Sequence, residues 1–290
     1  MPVQPVPPDD FTWDSDGGSA AAVESVRRAC READGQDPLD EASSLHLKHH
    51  GLAGAQLWLT GTDGFAFRHE GQVDLAVSPA ARRHGLGTEL ADAALGASGP
   101  VRAWSHGDHP AAARVAAARG LDRVRELWVM RRPLSRPLPA PIVPDGVTLR
   151  SWVDTDSDEL LRVNAAAFAH HPEQGAMDTA NLAERMAEDW FDPAGLIVAV
   201  SDDSVLGFHW TKQQSPTVGE VYVIGIDPAA QGRGLGKALT LAGLHHLAGL
   251  GVDEVLLYVE ADNLAGRSLY AGLGFEHAAA DTHVMYARTA

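Results

Sequence analysis

The stretch with the clearest chemical capacity acts through its main chain. Gln231-Gly232-Arg233-Gly234-Leu235-Gly236 places glycines at alternate positions, and without side chains a charged oxygen can approach the backbone N–H groups. A turn of this kind that opens a helix offers several unpaired N–H donors and the positive end of the helix dipole. That combination suits a pyrophosphate. The flanks supply the elements the turn needs. Before it, Val221-Tyr222-Val223-Ile224-Gly225-Ile226 is almost wholly apolar, closes on Asp227-Pro228 and reads as a buried strand. After it, Lys237-Ala238-Leu239-Thr240-Leu241-Ala242-Gly243-Leu244 carries apolar residues at spacings of three and four, the helical period. The common nucleotide motifs do not fit: no G-x-G-x-x-G stands in the dinucleotide register and no G-K-[ST] follows.

A second segment lies one strand further on. Asn263-Leu264-Ala265-Gly266-Arg267-Ser268-Leu269-Tyr270 leads to Gly272, Gly274 and Phe275. Asn263 is suited to an N-cap, and Tyr270 falls seven residues later on the same helix face. Gly272 or Gly274 ends that helix, and Phe275 opens an edge strand. The order of these parts resembles the GNAT superfamily of N-acetyltransferases, whose pyrophosphate signature Q/R-x-x-G-x-G/A is met by Gln231, Gly234 and Gly236. The resemblance implies an α/β (α+β) fold, a mixed and largely antiparallel central sheet flanked by helices, with acetyl-CoA as acetyl donor.

The signature occurs twice. Val73-Asp74-Leu75-Ala76-Val77-Ser78-Pro79-Ala80-Ala81-Arg82-Arg83-His84-Gly85-Leu86-Gly87 repeats it, with Pro79, Arg82 and Gly85 each 149 positions before Pro228, Gln231 and Gly234. Further along, Trp104 pairs with Tyr258 and Gly120 with Gly274 at an offset of 154, so the second copy has a longer helix or loop between them. The proline-dense run Arg132 to Pro144 reads as a stiff linker. Two tandem domains are expected, an N-terminal one over residues 1–138 and a catalytic C-terminal one over 139–290. The copies diverge at titratable positions: Gly71, Ala116 and His109 stand where the second copy has Glu220, Tyr270 and Asn263. Two readings of the first copy stand side by side, a structural buttress and a domain that binds a CoA-type ligand without turning it over. In either case it is expected to wall the active site through the loop around Glu41.

Composition bounds the partners. The formal charge is 23 − 39 = −16 over 290 residues, which argues against nucleic acid or an anionic membrane and favours a cationic amine substrate. No stretch of 18 apolar residues is present, and the opening Met1 to Asp10 has no basic n-region. A single cysteine, Cys30, excludes an internal disulfide and fits a reducing cytoplasm. We expect a cytoplasmic monomer. The histidines His46, His49, His50, His170, His171, His245 and His246 form no metal-ligand spacing, so no metal is expected.

Within the GNAT resemblance, Cys30 lies far in sequence from the second glycine turn, which leaves direct attack of an amine on the thioester. Glu220, at the start of the central strand, is placed to take the amine proton, directly or through water. A main-chain N–H of the segment Ile224, Gly225, Ile226 is placed to meet the thioester carbonyl, with Gly225 marking a bulge. Tyr270 is placed to donate to the departing sulfur. The bland readings are a solvated strand-end Glu and a core Tyr.

Over nearly its whole length the chain resembles the mycothiol synthase family of tandem GNAT proteins. The segments that carry this are Ala167 to Gly175, Gly207-Phe208-His209-Trp210-Thr211-Lys212, Gly219 to Val223, and Leu257-Tyr258-Val259-Glu260. That family acetylates the cysteinyl α-amine of a glucosamine–inositol pseudodisaccharide, the last step of mycothiol synthesis. The resemblance implies that Glu173, Lys212, Glu220, Tyr258 and, from the first copy, Glu41 contact the amino-acyl sugar. It implies that acetyl-CoA is held by Ile224, Gly225, Ile226, by Gln231, Gly232, Arg233, Gly234, Leu235, Gly236, Lys237, and by Asn263, Leu264, Ala265, Gly266, Arg267, Ser268. A second cofactor site is implied at Leu75, Ala76, Val77 and Arg83, His84, Gly85, Leu86, Gly87, Thr88. The alternatives are a GNAT enzyme for another small amine or peptide terminus, and a non-catalytic CoA-binding regulator.

Overall fold

Segments of period two and period 3.6 in the sequence become strands and helices, in an order that occurs twice along the chain. The computed structural model describes residues 2–13, 17–96, 99–170, 175–202 and 204–289. In chain order come β1 (Gln4–Pro5), α1 (Gly18–Asp34), α2 (Glu41–His50), β2 (Ala55–Leu59), β3 (Gly64–His69), β4 (Gln72–Val77), α3 (Leu86–Leu95), β5 (Val101–Ser105), α4 (Pro110–Ala117) and β6 (Asp122–Pro133). The series then repeats with β7 (Thr148–Ser151), α5 (Ser157–Ala167), α6 (Thr179–Met186), β8 (Leu196–Ser201), β9 (Ser204–Gln213), β10 (Val218–Ile226), α7 (Leu235–Gly249), β11 (Glu254–Glu260), α8 (Leu264–Gly272) and β12 (Glu276–Arg288). The helix after the glycine turn runs 15 residues in α7 and 10 in α3. Their difference, 15 − 10 = 5, accounts for the change of offset from 149 to 154 read in the sequence.

These elements gather into two compact units. The first takes the described residues of Met1–Trp128, Glu260–Asp262 and Ala278–Ala290; the second takes Val129–Val259 and Asn263–His277. Strand order in the first is β1-β2-β3-β4-β5-β12-β6, and in the second β6-β11-β10-β9-β8-β7. Each sheet is mixed, with the parallel contacts at β4·β5 and β10·β11 and antiparallel hairpins beside them.

Two expectations need correction here. Phe275 does not lead into an edge strand: Val284 to Arg288 of β12 pair with Ser105 to Val101 of β5, and β12 lies between β5 and β6. Nor does the stiff linker start at Arg132. Arg132 and Pro133 belong to β6, and the Arg132 side chain is buried. Its guanidinium donates to the carbonyls of Leu273 (2.8 Å), Arg136 (3.0 Å) and Pro137 (3.0 Å). The irregular stretch therefore begins after Pro133, with its first carbonyls already tied down.

In the second unit one sheet face is covered by an aromatic-rich cluster that includes Leu160 and Val163 of α5, Leu182 of α6, and Phe208, Trp210 and Val223 of the sheet. The other face packs Ile197, Ile224 and Ile226 against Leu235 and Leu239 of α7. The first unit repeats this layering, with α1 and α2 on one face and α3 on the other. Burying a large apolar side chain stabilises by about 1.5–3 kcal/mol, so the fully buried Trp210 is among the side chains whose truncation would cost most. No helix among the described residues is long and apolar enough to cross a membrane.

Candidate active site

The site is built on the β9–β10 hairpin. Glu220 pairs with Lys212 and Val221 with Thr211, but the next rung joins Val223 to Trp210. Tyr222 is thus the extra residue of a β-bulge. The bulge does not sit at Gly225, as the sequence reading expected; Gly225 answers to crowding, since a Cβ there would lie 2.7 Å from the Phe208 ring. A Cβ on Gly219 would collide with Leu247 of α7, so Gly219 faces α7 and Glu220 faces the opposite side. The bulge then uses that side twice in succession, with both Tyr222 and Val223 joining the aromatic-rich cluster. On β9 and just beyond it, Trp210, Lys212 and Gln214 alternate onto the same side.

Glu220 is the third residue of β10, close to the strand's start as expected, and is 4% exposed. Gln214 Nε2 donates to its Oε2. Lys212 Nζ stands 4.6 Å from the ring centroid of Trp190 and 5.3 Å from that of Tyr222, where the negative ring faces attract a cation. Arg185 of α6 donates to the Tyr222 hydroxyl and, through Nε, to Asn181 Oδ1 at 2.9 Å. The Trp190 and Tyr222 rings meet edge to face, 4.9 Å apart. A buried carboxylate therefore shares one surface with a lysine, an amide and two aromatic rings.

β11 runs beside β10 with rungs from Val218–Glu254 to Val221–Leu257. Leu256 is the partner of Glu220, so Tyr258, two residues on and 41% exposed, stands on the face of Glu220. The ladder ends there, one residue before the bulge, while β10 continues to Ile226 and β11 to Glu260. The Asp227 N–H donates to Leu206 O at 2.9 Å. Alternation along the strand then turns the N–H groups of Ile224 and Ile226 away from β9, toward the edge where β11 has parted.

Beyond this edge the chain makes one tight turn at Pro228–Ala230 and enters the glycine stretch. Gly232 (φ +76°) and Gly234 (φ +82°) take left-handed conformations that L side chains adopt only with strain. Gly234 is the N-cap of α7, and no side chain hydrogen-bonds to it as a cap. The first turn of α7 holds no acidic residue, and Gln231, Arg233 and Lys237 are exposed. A Cβ on Gly236 would lie 3.7 Å from Leu269 of α8, so the glycine turn and α8 are neighbours. Asn263 caps α8 through Oδ1, which accepts from Gly266 N at 2.9 Å. Leu264 is 70% exposed. Tyr270 is buried, its ring edge to face with Phe275, and burial pushes its hydroxyl pKa up to about 12. Uncapped N–H donors, left-handed glycines and a parted strand edge are the features a pyrophosphate and an extended thioester arm require.

The first unit keeps the backbone and changes the side chains. Arg83 (φ +66°) and Gly85 (φ +90°) occupy the left-handed positions of Gly232 and Gly234, and Gly85 caps α3 without a side-chain hydrogen bond. The β4–β5 ladder is short, Gln72–Arg102 and Val73–Ala103, so Leu75 to Val77 run past it. The β3–β4 register is regular through its length. His109 is the N-cap of α4 but makes no side-chain cap, and Ala116 is buried where the second copy has Tyr270. Arg82 turns inward to Asp34 at 2.5 Å and to Val77 O at 3.0 Å. Glu41 is the first residue of α2, helical rather than in a loop. Cys30 is buried in α1, where burial pushes its thiol pKa up. Glu173 lies outside the described residues. Gln214, Trp190 and Arg185 escaped the sequence reading; Gln214 was reachable by extending the alternation from Lys212 once the hairpin was recognised.

Comparison with known proteins agrees with this geometry. The acetyltransferase (GNAT) family model matches residues 162–275. A mycothiol acetyltransferase of Nocardioides sp. is 57% identical, covering 92% of this chain and 97% of its own length. One from Nocardia farcinica is 49% identical, covering 93% and 95%. Among solved structures, a tandem GNAT protein from the clavulanic acid biosynthesis pathway superposes with a TM-score of 0.69 at 20% identity, covering 99% of this chain and 98% of its own. A GCN5-related N-acetyltransferase from Sphaerobacter thermophilus gives 0.68 at 24% identity, covering 99% and 94%. At these identities the structures speak for the fold.

Proposed function

The chain belongs to the mycothiol acetyltransferase family, and on that premise we propose that it acetylates the cysteinyl α-amine of a glucosamine–inositol conjugate with Glu220 as general base and Tyr270 as general acid. The observation that carries the assignment is the buried Glu220 beside the point where β10 bulges and parts from β11.

Acetyl-CoA supplies the acetyl thioester. The N–H donors at the start of α7, with Arg233 and Lys237, hold its pyrophosphate, and the α8 segment from Asn263 to Ser268 flanks it. The N–H groups of Ile224 and Ile226, on the edge that β11 has left, polarise the thioester carbonyl. Lys212, Glu220 and Tyr258, which share one sheet face, meet the amino-acyl sugar. An α-amine has a pKa near about 8, so Glu220 needs only to draw off one proton as the nitrogen attacks the carbonyl carbon. A C–N bond forms, the C–S bond breaks, and Tyr270 gives its proton to the departing sulfur. Burial raises the Tyr270 hydroxyl pKa to about 12, so the group meets the departing sulfur in its protonated, hydrogen-bond-donating form. The buried Cys30 sits in α1 of the first unit with its thiol pKa raised, so transfer is direct, within a ternary complex.

The left-handed pair Arg83 and Gly85, with its uncapped helix start, supports a second, non-catalytic acetyl-CoA site in the first unit. The protein acts as a monomer in the cytoplasm, on a small amine rather than on nucleic acid or membrane. Initial-rate kinetics with acetyl-CoA and the cysteinyl sugar, followed by mass detection of the N-acetyl product, test the reading. Intersecting lines are expected. Parallel lines, an isolable acetyl-enzyme, or turnover with simple amines but not with the cysteinyl sugar would overturn it.

A further inference from the structure

We infer that Arg185 is a positioning residue: by holding the Tyr222 hydroxyl it fixes the bulge of β10, and with it the N–H groups that polarise the thioester carbonyl. The inference rests on the reading of the Ile224 and Ile226 N–H groups as those donors. A chain of side-chain contacts leads from α6 to the bulge. Asp178 caps α6, its Oδ1 accepting from Asn181 N at 2.8 Å. Leu182 of the same helix is buried in the aromatic-rich cluster, which seats the helix on the sheet. Asn181 and Arg185 stand one turn apart on one helix face. Arg185 Nε donates to Asn181 Oδ1 at 2.9 Å, and Nη1 donates to the Tyr222 hydroxyl. The guanidinium carbon also lies 5.6 Å from the Tyr222 ring centroid, within the range of a cation–ring attraction.

What this contact controls follows from the backbone. A bulge bends its strand and raises the local twist. The β10–β11 ladder stops at Val221–Leu257, and the β9–β10 ladder resumes at Val223–Trp210. The extra residue thus stands where β10 turns away from β11, and its setting decides how far the strand turns. The Tyr222 ring is held by Trp190 at 4.9 Å and by Trp210 at 5.5 Å, both edge to face. Arg185 ties down the far end of the same side chain with a rigid, planar guanidinium whose own direction is set by Asn181. Tyr222 lies two residues before Ile224 and four before Ile226, so a rotation at the bulge carries directly to their N–H groups. Arg185 therefore acts on the carbonyl through Tyr222.

The test uses Tyr222→Phe, which removes the hydroxyl and keeps the ring, and Arg185→Met, which removes the donor and keeps the length, in the full chain. The probe is acetyl-CoA labelled with carbon-13 at the thioester carbonyl, and the signal that Gly234→Glu removes is that of the second-unit site. In the unaltered protein, binding should move this signal downfield, because N–H donors polarise the carbonyl. Both variants should move it back toward the free position. Each should lower kcat by about 10- to 100-fold, the scale of a small misplacement at the reacting centre, with KM for acetyl-CoA little changed. The double variant should lose no more than the worse single one, because the two side chains act as one unit, and Arg185→Lys should restore part of the loss. An unmoved signal in both variants, even with a lowered melting temperature, would make the contact merely structural and overturn the inference. Losses that multiply in the double variant would do the same. If binding leaves the signal of the unaltered protein at its free position, the reading of Ile224 and Ile226 has failed and the role of Arg185 falls with it.

Discussion

Lys212 and Glu220 face each other across the β9–β10 ladder, two rungs before Tyr222 bulges out of β10. The ladder is regular at their pair, so both backbones are fixed, and the extra residue comes only after the carboxylate is set. Lys212 Nζ rests over two aromatic rings. That places a cation and a carboxylate on one face of the hairpin.

Glu220→Ala should lower kcat by about 10²–10⁴-fold, the usual contribution of general acid–base groups, while KM for acetyl-CoA changes little. Steady-state kinetics at varied acetyl-CoA check this. A loss under about threefold would count against Glu220 as base.

Tyr270→Phe should also depress kcat, and the loss should shrink when the thiol leaving group is made more acidic. The hydroxyl pKa stands near 12, so the acid stays protonated as pH rises through 10. Wild-type kcat should therefore show no alkaline fall attributable to this group below about pH 11.

The first unit should bind acetyl-CoA without catalysing transfer. Calorimetric titration of the intact chain is expected to reach two sites per chain. Gly85→Glu places a side chain and a negative charge at a left-handed cap (φ +90°), and should remove one site while most turnover survives. A single site in the unaltered chain would make the first glycine turn a packing feature.

Acid should destabilise the second unit through His209. This side chain is fully buried, its Nδ1 lies 2.8 Å from Leu239 O, and burial lowers its pKa to about 4. The unfolded chain binds the proton near pH 6.5, well before the folded one does. Stability is therefore intact above about 6.5 and lost as pH falls toward 4, by on the order of 3 kcal/mol. Urea midpoints at pH 7 and pH 5 in wild type and His209→Gln check this, and the variant should show the smaller difference.

The backbone features of the candidate site were the part legible in the sequence. Glycine spacing named the α7 turn, because only glycine takes its left-handed positions without strain, and Asn263 announced itself as a cap by residue type. The bulge was misplaced for a definite reason. A bulge is a mismatch in count between two strands, and β10 alone cannot reveal that Tyr222 lacks a rung on β9. Gly225 drew attention as a glycine but answers to the Phe208 ring, a tertiary neighbour. The pairing of β12 with β5 was equally hidden, since alternation marks a strand and not its neighbour. Trp190 and Arg185 gave no local signal, because their partner Tyr222 is remote in sequence.

The membership of Ala278–Ala290 in the first unit has a consequence for synthesis on the ribosome. Ala278 emerges 278 − 128 = 150 residues after Trp128, a delay of about 8–30 s at roughly 5–20 residues per second. Until then β5 lacks the neighbour that Val284 to Arg288 will supply, and an unpaired strand edge invites association with other chains. The part of the protein made first is therefore among the last to be completed. Nascent chains arrested before Ala278 should be the stage most dependent on chaperones.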